Sequence, residues 1–144
     1  YDINPKAAEL AKSVGAKFLE PEDLKKFLPK VDVLICSAFS HNKTATTIFA
    51  KEDIALLPPG AIAVDGAVAF GGNIEGSKTD EKVIISGKTI LGYQNWATRI
   101  PHSASLMFSK NITSLVSEYF RGGRPDYTNE VIQKICVCKN GKSM

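Results

Sequence analysis

The stretch "VDVLICSAF" (residues 31–39) decides the fold class, because it is an almost continuous apolar run rich in β-branched residues. Such a run is typical of a strand buried on both faces of a parallel sheet, whereas a half-exposed strand alternates apolar and polar residues. A polar loop follows it. The stretch therefore predicts a buried parallel strand whose carboxyl end opens onto a loop where ligands commonly bind.

Strands and helices alternate on both sides of this run. Upstream, residues 4–15 predict a helix that stops at Gly15, "AKFLE" (16–20) a short strand, and "PEDLKKFLPK" (21–30) a brief helix. Downstream, residues 47–57 predict a helix, "AIAVD" (61–65) a second buried strand, residues 82–94 two β-prone runs around Ser86-Gly87, and residues 102–120 the longest helix. This alternation predicts an α/β fold with a Rossmann-like, doubly wound parallel sheet.

Composition excludes several classes of function. The 144 residues are 44% hydrophobic and 23% charged, which is ordinary for a folded domain. A net charge of +3 is too small and too scattered to indicate a nucleic-acid partner. The three cysteines and two histidines form neither a disulfide framework nor a spaced metal-ligand set, so we expect no metal.

Three segments are expected at the carboxyl ends of strands, where an open α/β sheet binds its ligands: Asp2-Ile3, "SAFSHNK" (37–43) and "DGAVAFGGN" (65–73). Asp2 has two interpretations that its spacing does not separate. It could accept hydrogen bonds from a ribose and disfavour the extra phosphate of NADP, or it could be an acid near the start of a helix. Asp65 ends a strand of small apolar residues, which predicts that its charge faces the edge of the crevice.

Taken together and in order, three blocks carry a resemblance to a known family: "GAIAVDGAVAFGGNIEGS" (60–77), "ILGYQNWATRIP" (90–101) and "SASLMFSKNI" (103–112). They resemble the NAD(H)-binding domain shared by the alpha subunit of proton-translocating NAD(P) transhydrogenase and by alanine dehydrogenase. The likeness covers almost the whole chain. It implies that residues 1–144 are the carboxyl-terminal part of one such domain, without an internal boundary and without the first strand and Gly-rich turn that precede this region in the family.

The resemblance also implies roles for individual residues. Asp2 would hold the adenosine ribose, and Ser37 and Ala38 would pass their backbones along the cofactor. Asp65, Asn95 and Trp96 match positions near the nicotinamide half, and Lys43 matches a recurrent lysine. No catalytic side chain is implied, because the cofactor NAD(H) itself supplies the hydride.

The function that the resemblance implies is hydride transfer between NADH and NADP⁺, coupled in the full enzyme to proton translocation. The expected partners are the amino-terminal half of the domain, the NADP-binding and membrane parts, and a second copy in a homodimer. The location would be that of a soluble domain on the cytoplasmic or matrix side of a membrane-bound enzyme. The fragment alone is expected to be inactive, because the first strand of the usual order is central to the sheet.

Two features bear on the alternatives. Alanine dehydrogenases carry a catalytic acid two places before the paired glycines, and Ala69 stands there, which disfavours an amino-acid dehydrogenase. The transhydrogenase domain usually has an extended mobile loop where this chain has only residues 21–30, which puts closure over the cofactor in doubt. A non-catalytic Rossmann fragment that acts as an assembly module is the remaining alternative.

Overall fold

The structure is a computed structural model that describes residues 1–4, 6–39 and 44–143, and it divides into two compact units, residues 1–94 and 95–144. The single NAD(H)-binding domain expected over residues 1–144 stays a prediction. The elements of the first unit are α1 (Ala7–Ser13), α2 (Leu24–Phe27), β1 (Val33–Cys36), α3 (Lys51–Ala55), β2 (Ile62–Asp65), β3 (Glu81–Ile85) and β4 (Lys88–Gly92). Short 3₁₀ turns cover Pro21–Asp23, Leu28–Lys30 and Val68–Phe70.

The four strands of the first unit form one sheet in the order β1-β2-β4-β3. Strands β1, β2 and β4 are parallel, with Cys36 opposite Asp65 at the carboxyl ends of β1 and β2. Strand β3 pairs with β4 in the antiparallel sense, as a hairpin that turns at Ser86-Gly87. The α/β fold and the strands expected at residues 31–36, 61–65 and within 82–94 are thereby confirmed.

One face of the sheet carries the core. Cys36, Ala63 and Ile90 lie on this face, where Leu28, Phe49 and Ile54 from the preceding turns and helices join them in one buried cluster. The opposite face of β1 is exposed, at 57% for Val33 and 70% for Ile35. The prediction that this strand is buried on both faces is therefore wrong for the described structure, since both α2 and α3 pack on the same side.

Two segments differ from their predicted structure. Residues 16–20, expected to form a strand, have no regular structure, because a strand needs a hydrogen-bonded neighbour and this segment has none in the sheet. The helix expected from residue 47 begins only at Lys51. The N–H groups of Ile48 and Phe49 donate instead to the carbonyl oxygen of Asn73, at 2.8 and 3.0 Å, and Phe49 forms a parallel β-bridge with Ile74.

The second unit contains α4 (Trp96–Arg99), α5 (Pro101–Tyr119), β5 (Phe120–Arg121), β6 (Arg124–Pro125), α6 (Glu130–Ile135), β7 (Cys138–Lys139) and β8 (Lys142–Ser143). Helix α5, with 19 residues, confirms the predicted longest helix. Strands β5 and β6 form one two-stranded hairpin, and β7 and β8 form another. Across the described ranges of the chain, no helix combines the length and the hydropathy that a membrane span requires.

Candidate functional site

Two loops meet where the parallel strands β1 and β2 end. The N–H of Gly66 donates to the carbonyl oxygen of Cys36 at 2.7 Å, which continues the strand pairing by one residue into the loops. A Cβ at position 66 would lie 3.0 Å from that oxygen and 3.5 Å from the Cβ of Ser37. The absence of a side chain at Gly66 therefore lets the second loop start in direct contact with Ser37.

Asp65 is completely buried, at 0% exposure, although the sequence predicted that its charge faces the crevice edge. The N–H of Ala67 donates to its Oδ1 at 3.1 Å, and the hydroxyl of Ser77 donates to its Oδ2 at 2.6 Å. The N–H groups of Asn73 and Ile74 also donate to the carboxylate, at 3.0–3.1 Å. Four donors thus compensate its desolvation and fold the loop of residues 66–77 around it.

Gly72 lies against this carboxylate. Its φ is +85°, in the left-handed region that favours glycine. A Cβ there would come within 2.8 Å of both the Oδ2 of Asp65 and the Oγ of Ser77. The second glycine of the "FGGN" segment is therefore required by both its backbone conformation and the space around it.

Asn73 joins the two loops. Its side chain is completely buried, and its Oδ1 accepts the N–H of Ala38 at 2.9 Å. Its Nδ2 donates to the carbonyl oxygens of Ala38 and Thr46 at 2.9 and 2.8 Å. Because Asp65 holds the Asn73 N–H, a continuous polar network runs from the end of β2 to the loop after β1.

The surface above this network is exposed. Ser37, Ala38 and Ala69 are all exposed, and small side chains of this kind let another molecule approach the backbone closely. Phe39 and Phe70, one from each loop, stack with their ring centroids 4.6 Å apart and their planes 7° from parallel. The geometry therefore provides a ledge of small exposed residues and flat apolar surface at the carboxyl ends of two parallel strands, the place where open α/β sheets bind ligands.

Asp2 is exposed in the first unit, in an Asx turn that precedes α1. Its Oδ1 accepts the N–H of Asn4 at 2.8 Å, and the Oδ1 of Asn4 accepts the N–H of Lys6 at 3.1 Å. The helix begins at Ala7, so Asp2 lies outside the first helical turn, where the helix dipole acts most strongly. An exposed carboxylate held in a turn is the form in which an aspartate could accept hydrogen bonds from two neighbouring hydroxyl groups.

The remaining predicted residues fall elsewhere. Asn95 and Trp96 belong to the second unit, at the start of α4, where the Thr98 hydroxyl donates to the Asn95 carbonyl oxygen at 2.8 Å. Lys43 lies outside the described residues. The structure therefore brings together Ser37, Ala38 and Asp65 of the predicted set.

The chemistry available at the ledge is that of binding and positioning. Burial raises the pKa of the Cys36 thiol to about 12, with a smaller contribution from the nearby Asp65 carboxylate, so this thiol stays protonated at neutral pH. In the part of the chain that is described, no group of three or more histidine, cysteine, aspartate or glutamate residues is placed to hold a metal ion.

Sequence reasoning missed Asn73 and the pair of phenylalanines. The glycines of the "FGGN" segment indicate a tight turn, but no local signal shows that the asparagine after them is buried, because its side-chain partners lie 27 and 35 positions away. Phe39 and Phe70 lie 31 positions apart, and only the parallel pairing of β1 with β2 brings their rings together.

Comparison with known families gives a match over the entire chain. The profile of the family described as "Alanine dehydrogenase/PNT, C-terminal domain" matches residues 1–144. Among curated proteins, the chain is 29% identical to an NAD(P) transhydrogenase subunit alpha polypeptide of Rickettsia prowazekii, over 99% of this chain and 44% of that protein. It is 28% identical to the protein of the same name from Rhodospirillum rubrum, over 94% of this chain and 37% of that protein.

Solved structures give the same result. A transhydrogenase from Sinorhizobium meliloti superposes with a TM-score of 0.67 at 30% identity, over 99% of this chain and 40% of that one. An L-alanine dehydrogenase superposes with a TM-score of 0.62 over 99% of this chain, and its 16% identity shows a shared fold alone. The chain thus spans less than half the length of these relatives.

Proposed function

Because this chain belongs to the family of alanine dehydrogenase/PNT carboxyl-terminal domains, we propose that it is the NAD(H)-binding part of a pyridine nucleotide transhydrogenase. The observation that carries this proposal is that the chain is more similar in sequence to a transhydrogenase than to an alanine dehydrogenase, when each is compared over the same share of the chain. The transhydrogenase from Sinorhizobium meliloti is 30% identical over 99% of the chain, whereas the L-alanine dehydrogenase is 16% identical over the same share.

Asp2 and the residues at the ledge would bind different parts of one dinucleotide. The exposed carboxylate of Asp2 would accept hydrogen bonds from the adenosine ribose, and its charge would repel the extra phosphate of NADP. Ser37 and Ala38 would lie along the cofactor in van der Waals contact, because both are small and exposed, whereas the Ala38 N–H and carbonyl oxygen are bound by the Asn73 side chain. Asp65 would act indirectly by holding the second loop in place.

Asn95, Trp96 and Lys43 complete the proposed set of cofactor-binding residues. The family resemblance supports Asn95 and Trp96 on the nicotinamide side, and Lys43 as a further contact. Their roles would be tested by substituting each with alanine and measuring NADH affinity.

The chemistry that NAD(H) would supply when bound is a hydride, delivered to NADP⁺ held by another part of the enzyme. The task of this chain is then to hold the dinucleotide in one orientation and to exclude water from it. Ala69 supports a role in binding without acid–base catalysis, because its exposed methyl group stands where an amino-acid dehydrogenase would need an acid. No proton transfer by a side chain of this chain is required.

The proposal includes the setting of the domain in a larger enzyme. Proton translocation and NADP binding would belong to other parts, and this chain would lie on the cytoplasmic or matrix side of the membrane in a homodimer. Strand β1 lies at the edge of the sheet, which supports a further strand of the same domain beside it, and the exposed Val33 and Ile35 support a further segment that covers this face. Protection of β1 amides from hydrogen exchange in the intact protein would test that contact, and its native mass would test the dimer.

Calorimetric titration of the intact protein, produced from its complete coding sequence, tests the proposal. We expect NADH to bind more tightly than NADPH. Asp2→Ala should weaken NADH binding about 10- to 150-fold, because hydrogen bonds to a charged group contribute about 1.5–3 kcal/mol. It should also reduce the ratio of the NADH affinity to the NADPH affinity. Asp32→Ala, which removes another exposed carboxylate, is the matched control and should change neither value.

Two results would favour the alternatives. NADH oxidation that depends on ammonia and a keto acid would indicate an amino-acid dehydrogenase and would contradict the role assigned to Ala69. The absence of any binding of NADH to the intact protein would leave an assembly module as the better description.

A further inference from the structure

The stacked pair Phe39 and Phe70 is partly exposed. Each residue is 43% exposed, and both lie on the loops that follow the carboxyl ends of parallel strands. Here the stack forms a flat apolar surface on the ledge.

Both rings are held in place by the backbone around them. Phe39 follows Ala38, whose N–H and carbonyl oxygen are both bound by the buried Asn73 side chain. Phe70 ends a 3₁₀ turn in which its N–H donates to the carbonyl oxygen of Ala67 at 2.8 Å, and its own carbonyl oxygen accepts the N–H of Ala45 at 2.7 Å. The surface is therefore organised before any ligand arrives, which lowers the entropic cost of binding.

We propose that the Phe39–Phe70 pair is a stacking platform for a planar heteroaromatic ring of the bound dinucleotide. Aromatic faces prefer to stack in offset, nearly parallel geometry, and the 43% exposure of each residue gives an extra ring room to extend the stack. NADH carries two such rings, the dihydronicotinamide and the adenine. The inference rests on the proposed function, because it names a contact within the same site.

Calorimetric titration of the intact protein tests the platform, with three probes: NADH, reduced nicotinamide mononucleotide and ADP-ribose. Phe70→Ala should weaken NADH binding about 5- to 150-fold, the range that the loss of one base–aromatic stack gives. It should weaken one of the two part-ligands by a similar factor and leave the other unchanged, which identifies the stacked ring. Phe70→Trp should restore affinity, whereas Phe70→Leu, which keeps apolar volume without a ring, should not.

Phe108→Ala removes an exposed phenylalanine on α5 and serves as the control, with unchanged affinity expected. An unchanged melting temperature of Phe70→Leu shows that the loop is intact in a variant that lacks the ring. NADH affinity in Phe70→Ala and Phe70→Leu within twofold of the unsubstituted protein would overturn the platform and leave the proposed function standing. Failure of the unsubstituted protein to bind NADH would overturn both.

Discussion

Replacing Asn73 with alanine should loosen both loops of the ledge while leaving the rest of the sheet intact. The substitution deletes three hydrogen bonds of 2.8–2.9 Å from a side chain that is completely buried. Two of these bonds hold Ala38 and the third holds Thr46, so one truncation releases the first loop at two points.

The free-energy cost of the substitution depends on whether water can bind the backbone groups of Ala38 and Thr46 that lose their partner. Each net hydrogen bond contributes about 0.5–1.5 kcal/mol, and three of them set a range of roughly 1.5–4.5 kcal/mol. Ala38 and Thr46 are exposed residues, so water can replace part of what is lost, which places the expected cost at about 2–3 kcal/mol. At 1.4 kcal/mol per factor of ten, local opening should become about 30- to 150-fold more frequent.

Hydrogen–deuterium exchange of the intact protein is the assay, because it reports local opening without assuming two-state unfolding. The reporters are the amides of Ile48, Phe49 and Ile74, which donate to Asn73 or to Asp65 in the same network. Their exchange should accelerate, whereas that of the hairpin β3–β4 should not change. Asn111→Ala, an exposed asparagine on α5, is the control variant.

An acceleration below about threefold at the reporter amides would refute the assignment of Asn73 as the connection between the loops, since the deleted bonds would then contribute less than about 0.7 kcal/mol in total. Equal acceleration in the hairpin β3–β4 would also contradict it, because that result indicates global rather than local destabilisation.

Further predictions concern stability. Above pH 9 the Cys36 thiol ionises in the unfolded chain but stays protonated in the fold, where its pKa is raised to about 12. The free energy of unfolding should therefore fall by about 1 kcal/mol by pH 10. Cys36→Ala, which has no thiol at this position, should not show this decrease. Gly72→Ala should lower the melting temperature more than Gly60→Ala, because both have positive φ but only the former meets neighbouring atoms at 2.8 Å. Desolvation raises the pKa of Asp53, but the Lys25 ammonium 2.8 Å away and a backbone N–H lower it by more, so its net pKa lies below the usual 3.8. The ion pair of Asp53 with the exposed Lys25 should contribute about 1 kcal/mol to the free energy of unfolding, and this contribution should be lost as the pH falls below 4. In Asp53→Asn the free energy of unfolding should depend less on pH in this range.

The sequence predicted elements well where local pattern determines them. The apolar runs at 31–36 and 61–65 specify strands because β-branched residues fit a pleated surface, and the stripe of apolar residues in 102–120 specifies a long helix. Residues 16–20 also carry a local strand signal, yet they form no strand, since strand formation depends on a partner elsewhere in the chain.

The candidate site was predictable in position more than in detail. The strand predicted at residues 31–36 placed Ser37 and Ala38 in the loop after a parallel strand, where the structure has them exposed, and their contact with a ligand stays a prediction. The burial of Asp65 was not predictable, because four donors from its own loop converge on it only after that loop has folded. The role of Asn73 was not predictable either, because two of its three side-chain hydrogen bonds are made with Ala38, which lies 35 positions away in the sequence.

The crystal structure of the intact protein with NADH is the most direct test of the central claim, that the carboxyl ends of β1 and β2 hold a dinucleotide. We predict density for NADH along residues 37–39 and 69–73, with its adenosine ribose against the Asp2 carboxylate. A dinucleotide bound on another face of the sheet, with these loops open to solvent, would contradict the claim.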